Sequence, residues 1–296
     1  MTIEWRGVFP AITTPFTERG TVDHGFLAAH AAWLAEAGCA GIIGLGSLGE
    51  AATLGSDEKR AVLDTLVAAV GARVPVIAGV AALATGEAVA LARAAERAGC
   101  RGLMVLPPYV YSTDTREMEA HVAAVFEATP LACMLYNNPV SYRTDFQPRQ
   151  IFELAARHAN LTAVKESSAD LRRVTALASG RLAIAIGVDD LVVEAIAAGA
   201  VAWVAGLVNA LPRESVALFE LARAGDTARA LEIYRWFLPL LRMDTVPKFV
   251  QLIKLVQAKV GRGSAQVRPP RLSLVGEELA EAERIIAAAL AARPTI

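Results

Sequence analysis

The sequence predicts an α/β protein, a (β/α)8 barrel with a C-terminal helical appendage, on three observations. Eight short apolar runs alternate with amphipathic segments. The runs are apolar throughout, as strands buried on both faces and paired in parallel must be. Glycine recurs at the joints where a helix hands over to the next strand. A doubly wound sheet would also alternate in this way, but eight such regular units favour closure into a TIM barrel.

The strand candidates run in order: GVFPAIT (7–13), GIIGL (41–45), PVIAGV (75–80), GLMVL (102–106), ACMLY (132–136), LTAVKE (161–166), LAIAIG (182–187) and AVAWVAG (200–206). After the first run, Phe26, Leu27, His30, Trp33 and Leu34 recur at the spacing of one helical face. After the second, Ser56 followed by Asp57 and Glu58 reads as an N-cap with acidic first-turn residues. EAGCAGI, RAGCRGL and AAGAVAW put Gly38, Gly99 and Gly199 at helix ends, where a left-handed C-cap is needed. Beyond residue 224 no strand run remains. DTARALEIYRWFLPLLRM, DTVPKFVQLIKLVQAKVG and GEELAEAERIIAAALAAR are helical. The expected organisation is a catalytic barrel over 1–224 and a helical extension over 225–296.

The bulk composition narrows the function. The 296 residues are 54% hydrophobic with a net charge of −1, and the 29 basic residues are interspersed with 30 acidic ones. No basic face is visible, which argues against nucleic acid as a partner. No apolar window reaches ~18 residues, so no membrane-spanning helix is expected. Cys39, Cys100 and Cys133 are far apart and set among apolar residues, which reads as buried reduced thiols in a cytoplasmic protein with no metal site.

GLGSLGE (44–50) fits the G-x-G-x-x-G pattern of a dinucleotide-binding loop. That motif needs a helix starting within it and an acidic residue ~20 positions on, at the end of the next strand. Here EAATLG delays the helix to about Ser56, and Asp64 falls inside it, so no cofactor is expected. The loop instead caps strand two on the face where such barrels carry their sites. Small residues there, Gly46 and Ser47 among them, expose amides suited to a carboxylate. Lys165 and Tyr136 close two other strands. A lysine at a strand end often only snorkels to solvent. In a barrel, however, strand ends converge. Burial would then leave Lys165 a neutral amine able to attack a carbonyl or imine carbon, with Tyr136 as general acid and base. Asp189 and Asp190 read as helix N-caps in preference to supports of the site, and Glu50 as a brace for the loop. None of the four histidines falls at a strand end.

GVFPAITTPFTERGTVD, GSLGEAATLGSDEK, PPYVY, YNNP, VKESSAD, GVDD and GLVNALP together resemble, over essentially the whole chain, the dihydrodipicolinate synthase/N-acetylneuraminate lyase family. The resemblance implies a Schiff-base enzyme without metal or organic cofactor. Lys165 would bond the C2 carbon of a 2-oxo acid, Tyr136 would shuttle protons and Ser47 would help hold the carboxylate. It also implies a homo-oligomer, tetramer or dimer. Three positions depart from the synthase pattern. The loop's second hydroxyl residue is Leu48, the relay tyrosine falls on Val110, and the arginine that grips a dicarboxylate falls on Ser141. Within the family, LGSLGE, VYSTDTRE, YNNPVSY, KESSADLRR and IYRWFLPLL with KFVQLIKL are most similar to the subfamily that converts 1-pyrroline-4-hydroxy-2-carboxylate to 2,5-dioxopentanoate and ammonia. The expected activity is therefore that of a lysine Schiff-base deaminase acting on a cyclic imine carboxylate, with Leu48 an apolar wall against polyhydroxylated substrates. The alternatives are a 2-keto-3-deoxy sugar acid aldolase or dehydratase, or a dihydrodipicolinate synthase-like lyase.

Overall fold

All eight apolar runs form strands in the computed structural model, which describes residues 3–110 and 114–296. They are β1 (Gly7–Pro10), β2 (Ile42–Gly44), β3 (Val76–Val80), β4 (Gly102–Val105), β5 (Ala132–Asn137), β6 (Leu161–Glu166), β7 (Ala183–Ile186) and β8 (Ala202–Ala205). Every ladder is parallel, and the sheet order is β1-β8-β7-β6-β5-β4-β3-β2. A parallel bridge between Ala11 and Ile43 joins the two ends of the sheet, so the barrel is nearly closed. The helices that return the chain from strand to strand are α1 (His24–Glu36), α2 (Ser56–Val70), α3 (Thr85–Ala98), α4 (Thr115–Glu127), α5 (Pro139–Tyr142), α6 (Pro148–Arg157), α7 (Leu171–Leu177) and α8 (Val192–Ala197), and α9 (Pro212–Ala224) follows β8.

The joints follow the sequence logic. Gly38, Gly99 and Gly199 all have positive φ, at 97°, 90° and 114°, where a side chain would strain the backbone. On α1, Leu27, His30 and Leu34 of the expected face are buried together with Ala31, while Phe26 and Trp33 are half-buried. The start of α2 lies one residue before the expected cap. Gly55 holds that position, and its N–H donates to Glu58 Oε2 at 2.9 Å, so the first-turn carboxylate satisfies the helix end without Ser56.

The expected C-terminal helices are α10 (Thr227–Leu241), α11 (Phe249–Lys259) and α12 (Gly276–Ala291). The DTVP stretch departs from the helical reading. Arg242–Thr245 form a 3-10 turn, Val246 is extended (φ −117°, ψ 159°), and α11 starts only at Phe249. Pro247 explains the break, because its ring disfavours helical backbone in the residue before it. The helices dock by buried apolar faces, Ile233 and Phe237 on α10 and Ile253 on α11 among them, and two polar contacts add to these. Tyr234 on α10 hydrogen-bonds the Asp190 carbonyl, and Trp236 Nε1 donates to Ala289 O of α12 at 2.8 Å. Among the described residues no helix is long and apolar enough to cross a membrane.

Candidate active site

Lys165 and Tyr136 are direct partners in the parallel register of β6 and β5. Side chains at one register in neighbouring strands share a face. Both are almost fully buried, and Lys165 Nζ stands 4.0 Å from the centroid of the Tyr136 ring. The space for the lysine stem comes from GVDD. A Cβ on Gly187 would come within 2.2 Å of Lys165 Cε and of Ser167 Oγ. Burial pushes the Lys165 ammonium below its ordinary pKa, against the opposing pull of Asp244, Tyr142 and Asp189. The same burial pushes the Tyr136 phenol up to about 12, where it is a proton donor at neutral pH.

These groups line a cavity of about 560 Å³ at the C-terminal ends of the strands, together with Gly46, Ser47 and Leu48. The structure thus brings together all five site residues expected from the sequence. The loop is held in an unusual backbone, with Leu45 (φ 62°) and Glu50 (φ 54°) left-handed at its two ends. Nothing among the described residues accepts a hydrogen bond from the N–H of Ser47 or Leu48. Those donors are free for a carboxylate.

Glu50 is the brace it was expected to be, on a larger scale. Its carboxylate is fully buried and accepts from Lys254 Nζ of α11 at 2.5 Å and from the Arg268 N–H at 3.0 Å. Lys254 also donates to Thr14 O and Gln266 O, both at 2.8 Å. The C-terminal segment and the loop therefore fix each other. Asp189 departs from the expected N-cap. The residue before its 3-10 turn is Val188, which offers no side-chain cap. The Asp189 carboxylate instead accepts from Trp203 Nε1 (2.9 Å), Gly206 N–H (3.1 Å) and Leu207 N–H (2.9 Å), binding the end of β7 to the end of β8. Burial raises it to about 6. Asp190 lies 3.8 Å from Arg242 Nε rather than capping.

The YNNP and VKESSADLRR motifs meet in one network. Asn137 Nδ2 donates to Glu166 Oε2 and Asp145 Oδ1, both at 3.2 Å, and its Oδ1 accepts from Phe146 N–H at 2.9 Å. Arg173 pairs bidentately with Asp145 at 2.6 Å. This holds the ends of β5 and β6, and so Lys165 and Tyr136, in register.

Several lining residues were not marked by the sequence, Tyr142 and Asp244 among them. Tyr142, on the single turn of α5, hydrogen-bonds Ser47 Oγ through its hydroxyl and stands edge-on to Tyr136 at 5.9 Å between centroids. Its other neighbour is Tyr109, at 5.5 Å. Asp244, in the 3-10 turn, lines the same cavity, in the space that Gly206 leaves: a Cβ there would come within 2.5 Å of Asp244 Oδ1. Neither residue closes a predicted strand, and only the tertiary fold delivers them. Ser141 lines the cavity, and Val110 is 54% exposed, while Tyr111 lies outside the described residues. The histidines serve structure. His30 is buried against Asn209 and Gln257, and burial lowers its pKa to about 4. The three cysteines are buried free thiols pushed up to about 12.

Residues 4–289 match the model of the dihydrodipicolinate synthetase family. The 4-hydroxy-tetrahydrodipicolinate synthase of Rhizobium meliloti is 33% identical over 281 residues, covering 94% of this chain and 96% of its own. That of Methanocaldococcus jannaschii is 31% identical over 284 residues, covering 95% and 98%. Among solved structures, the E. coli K12 prophage protein YagE in complex with pyruvate superposes with a TM-score of 0.91 at 27% identity, covering 97% of this chain and 99% of its own. The chain belongs to the dihydrodipicolinate synthetase family.

Proposed function

We propose that this protein is a lyase that forms a Schiff base between Lys165 and the C2 carbon of a 2-oxo acid or its cyclic imine. The observation that carries this reading is the buried pairing of Lys165 with Tyr136 across adjacent strands inside one cavity. A lysine held neutral by burial is a nucleophile, and its protonated imine is an electron sink that needs no cofactor. Pyruvate bound to a relative of the same fold supports a 2-oxo acid as the common denominator. The substrate carboxylate would take the free amides of Ser47 and Leu48. Tyr136 would move protons at C3, passing them along Tyr142 and Ser47.

Within this class the substrate we propose is 1-pyrroline-4-hydroxy-2-carboxylate. Lys165 adds to C2, and the ring C2–N bond breaks to give a chain ending in an amine. Loss of the C3 proton expels the C4 hydroxyl as water. Tautomerisation carries the unsaturation to C5, where the amine becomes an imine. Two hydrolyses then release ammonia from C5 and free Lys165, so that substrate plus one water yields 2,5-dioxopentanoate plus ammonia. Supporting this choice, the cavity has Ser141 where the synthase pattern has its dicarboxylate-binding arginine, and Leu48 adds an apolar wall that offers polyhydroxylated chains no partner.

The names of the relatives favour a second reading, a dihydrodipicolinate synthase-like lyase that condenses or cleaves 2-oxo acids. One panel separates them: ammonia release from the hydroxypyrroline carboxylate, against pyruvate turnover with aspartate semialdehyde and cleavage of 2-keto-3-deoxygluconate. Ammonia release alone supports the deaminase. Turnover of pyruvate with an aldehyde, without ammonia from the pyrroline, replaces it by the second reading. We further propose a homo-oligomer, consistent with the exposed apolar side chains Leu83 and Val110 on loops at the catalytic end, to be checked by light scattering.

A further inference from the structure

One charged side chain in the cavity has no partner. The Asp244 carboxylate lines the cavity, and no hydrogen bond or ion pair from the described residues reaches it. Its neighbours make this costly. Asp189 and Asp190 are close enough to raise its pKa, and the cation that acts against them is Lys165, with which it makes no ion pair. A carboxylate left among other carboxylates and an amine that must stay neutral lacks a cation. The fold has nevertheless made room for it, because Gly206 supplies the space its oxygen occupies.

We propose that Asp244 is the substrate-specificity residue of this site, binding a positively charged nitrogen carried by the substrate itself. This rests on the Schiff-base reading of Lys165 and deepens the choice of a cyclic imine. When Lys165 adds to C2 of a 1-pyrroline-2-carboxylate, the C2–N(Lys) bond forms and the C2–N(ring) bond breaks. The electron pair of the broken bond stays on nitrogen, which leaves as a primary amine on C5 and takes a proton. The product is an ammonium tethered to the imine, with no counter-ion of its own. Asp244 supplies one, and the same charge repels a second carboxylate, in keeping with Ser141 at the position of the lost arginine. The cavity thus offers amides for one carboxylate at the Ser47 loop and a carboxylate for one cation at the 3-10 turn, while Arg271, the remaining charged side chain of the lining beside Lys165, stands 3.7 Å from Glu50.

The test compares two probes that differ by the nitrogen. Pyruvate and 1-pyrroline-2-carboxylate, which lacks the 4-hydroxyl and cannot eliminate water, are each trapped on Lys165 with borohydride and quantified by intact mass. The expectation is that Asp244→Asn raises the half-saturating concentration of the pyrroline at least tenfold more than that of pyruvate, whatever common effect it has on Lys165. Asp244→Glu should restore part of the preference. Equal changes for both probes, or tighter pyrroline trapping in Asp244→Asn, overturn the proposal. A variant that no longer traps pyruvate has lost its site as a whole, and Asp244→Glu then decides on the same criterion. The function reading fails separately: a parent protein that prefers the pyrroline in trapping yet releases no ammonia from the hydroxylated substrate keeps Asp244 as a cation site and loses the deaminase.

Discussion

Lys165 Nζ lies 4.0 Å from the centroid of the Tyr136 ring because the two residues are register partners on β6 and β5. Parallel pairing puts both side chains on one face, and Gly187 on the next strand leaves room for the lysine stem. The amine and the phenol are thus neighbours by sheet geometry, before any substrate arrives.

Replacing Lys165 by Ala is expected to abolish borohydride trapping of pyruvate, and Tyr136→Phe to keep slow trapping while lowering kcat by roughly 10²- to 10⁴-fold, the range of a lost general acid–base. Burial lowers the pKa of Lys165, so the neutral amine is present above that lowered pKa and lost as pH falls through it. The acid limb of the trapping rate should therefore lie below the ordinary lysine value of about 10.4. A limb at that ordinary value would show a lysine exposed to solvent.

Tyr142 touches both Ser47 and Tyr136, so it is placed to pass a proton from the reacting carbon toward the loop. Removing its hydroxyl in Tyr142→Phe should lower kcat roughly ten- to a hundredfold, at the low end of acid–base effects, and leave KM for the 2-oxo acid within a few-fold. Solvent-isotope effects on kcat report whether the step affected is a proton transfer. An unchanged kcat would reduce Tyr142 to a wall of the cavity.

The Glu50–Lys254 pair is buried on both sides, so Glu50→Gln strands an ammonium without its counter-ion. Breaking such a pair costs about 3–5 kcal/mol, and the double variant Glu50→Gln/Lys254→Met should recover part of that loss in urea unfolding. Because the pair also positions the Ser47 loop, trapping should weaken in the single variant. Stability within about 1 kcal/mol of the parent would show the site to be hydrated.

His30 titrates near 4 in the folded chain against 6.5 when unfolded. Its folded pKa is depressed, so above pH 6.5 both states are neutral and it contributes nothing. As pH falls from 6.5 to 4 the unfolded chain takes up the proton first, and the folded state loses up to about 3 kcal/mol. The gap in unfolding free energy between pH 7 and pH 4 should shrink by about that amount in His30→Gln. An identical gap in parent and variant would mean that His30 opens to solvent before it charges.

Strand identity was legible throughout, because parallel strands covered on both faces write themselves as unbroken apolar runs. The helix-to-strand joints were legible because only glycine tolerates the positive φ that they need. Lys165, Tyr136, Ser47 and Gly46 could be singled out because strand ends in a barrel converge by construction, and Leu48 because it departs from the loop pattern of the family that the sequence resembles. Helix starts were less sharp: Gly55 displaced Ser56 because a side chain three residues on can serve the same orphan N–H.

What only the tertiary structure decided are the residues that enter the cavity from outside the strand pattern. Asp189 was expected to cap its own turn, yet it ties β7 to β8, because two backbone N–H groups and an indole converge on it across the sheet. Tyr142 arrives on a single turn of helix and Asp244 on a proline-broken one, elements too short to carry a periodicity. The sequence by itself determined the barrel and the strand ends that carry Lys165 and Tyr136, through local spacing and strand register. The fold decided what surrounds that site, since residues on the cavity wall lie up to 154 positions from Lys165 along the chain, at Ala11, and meet it only when the barrel closes.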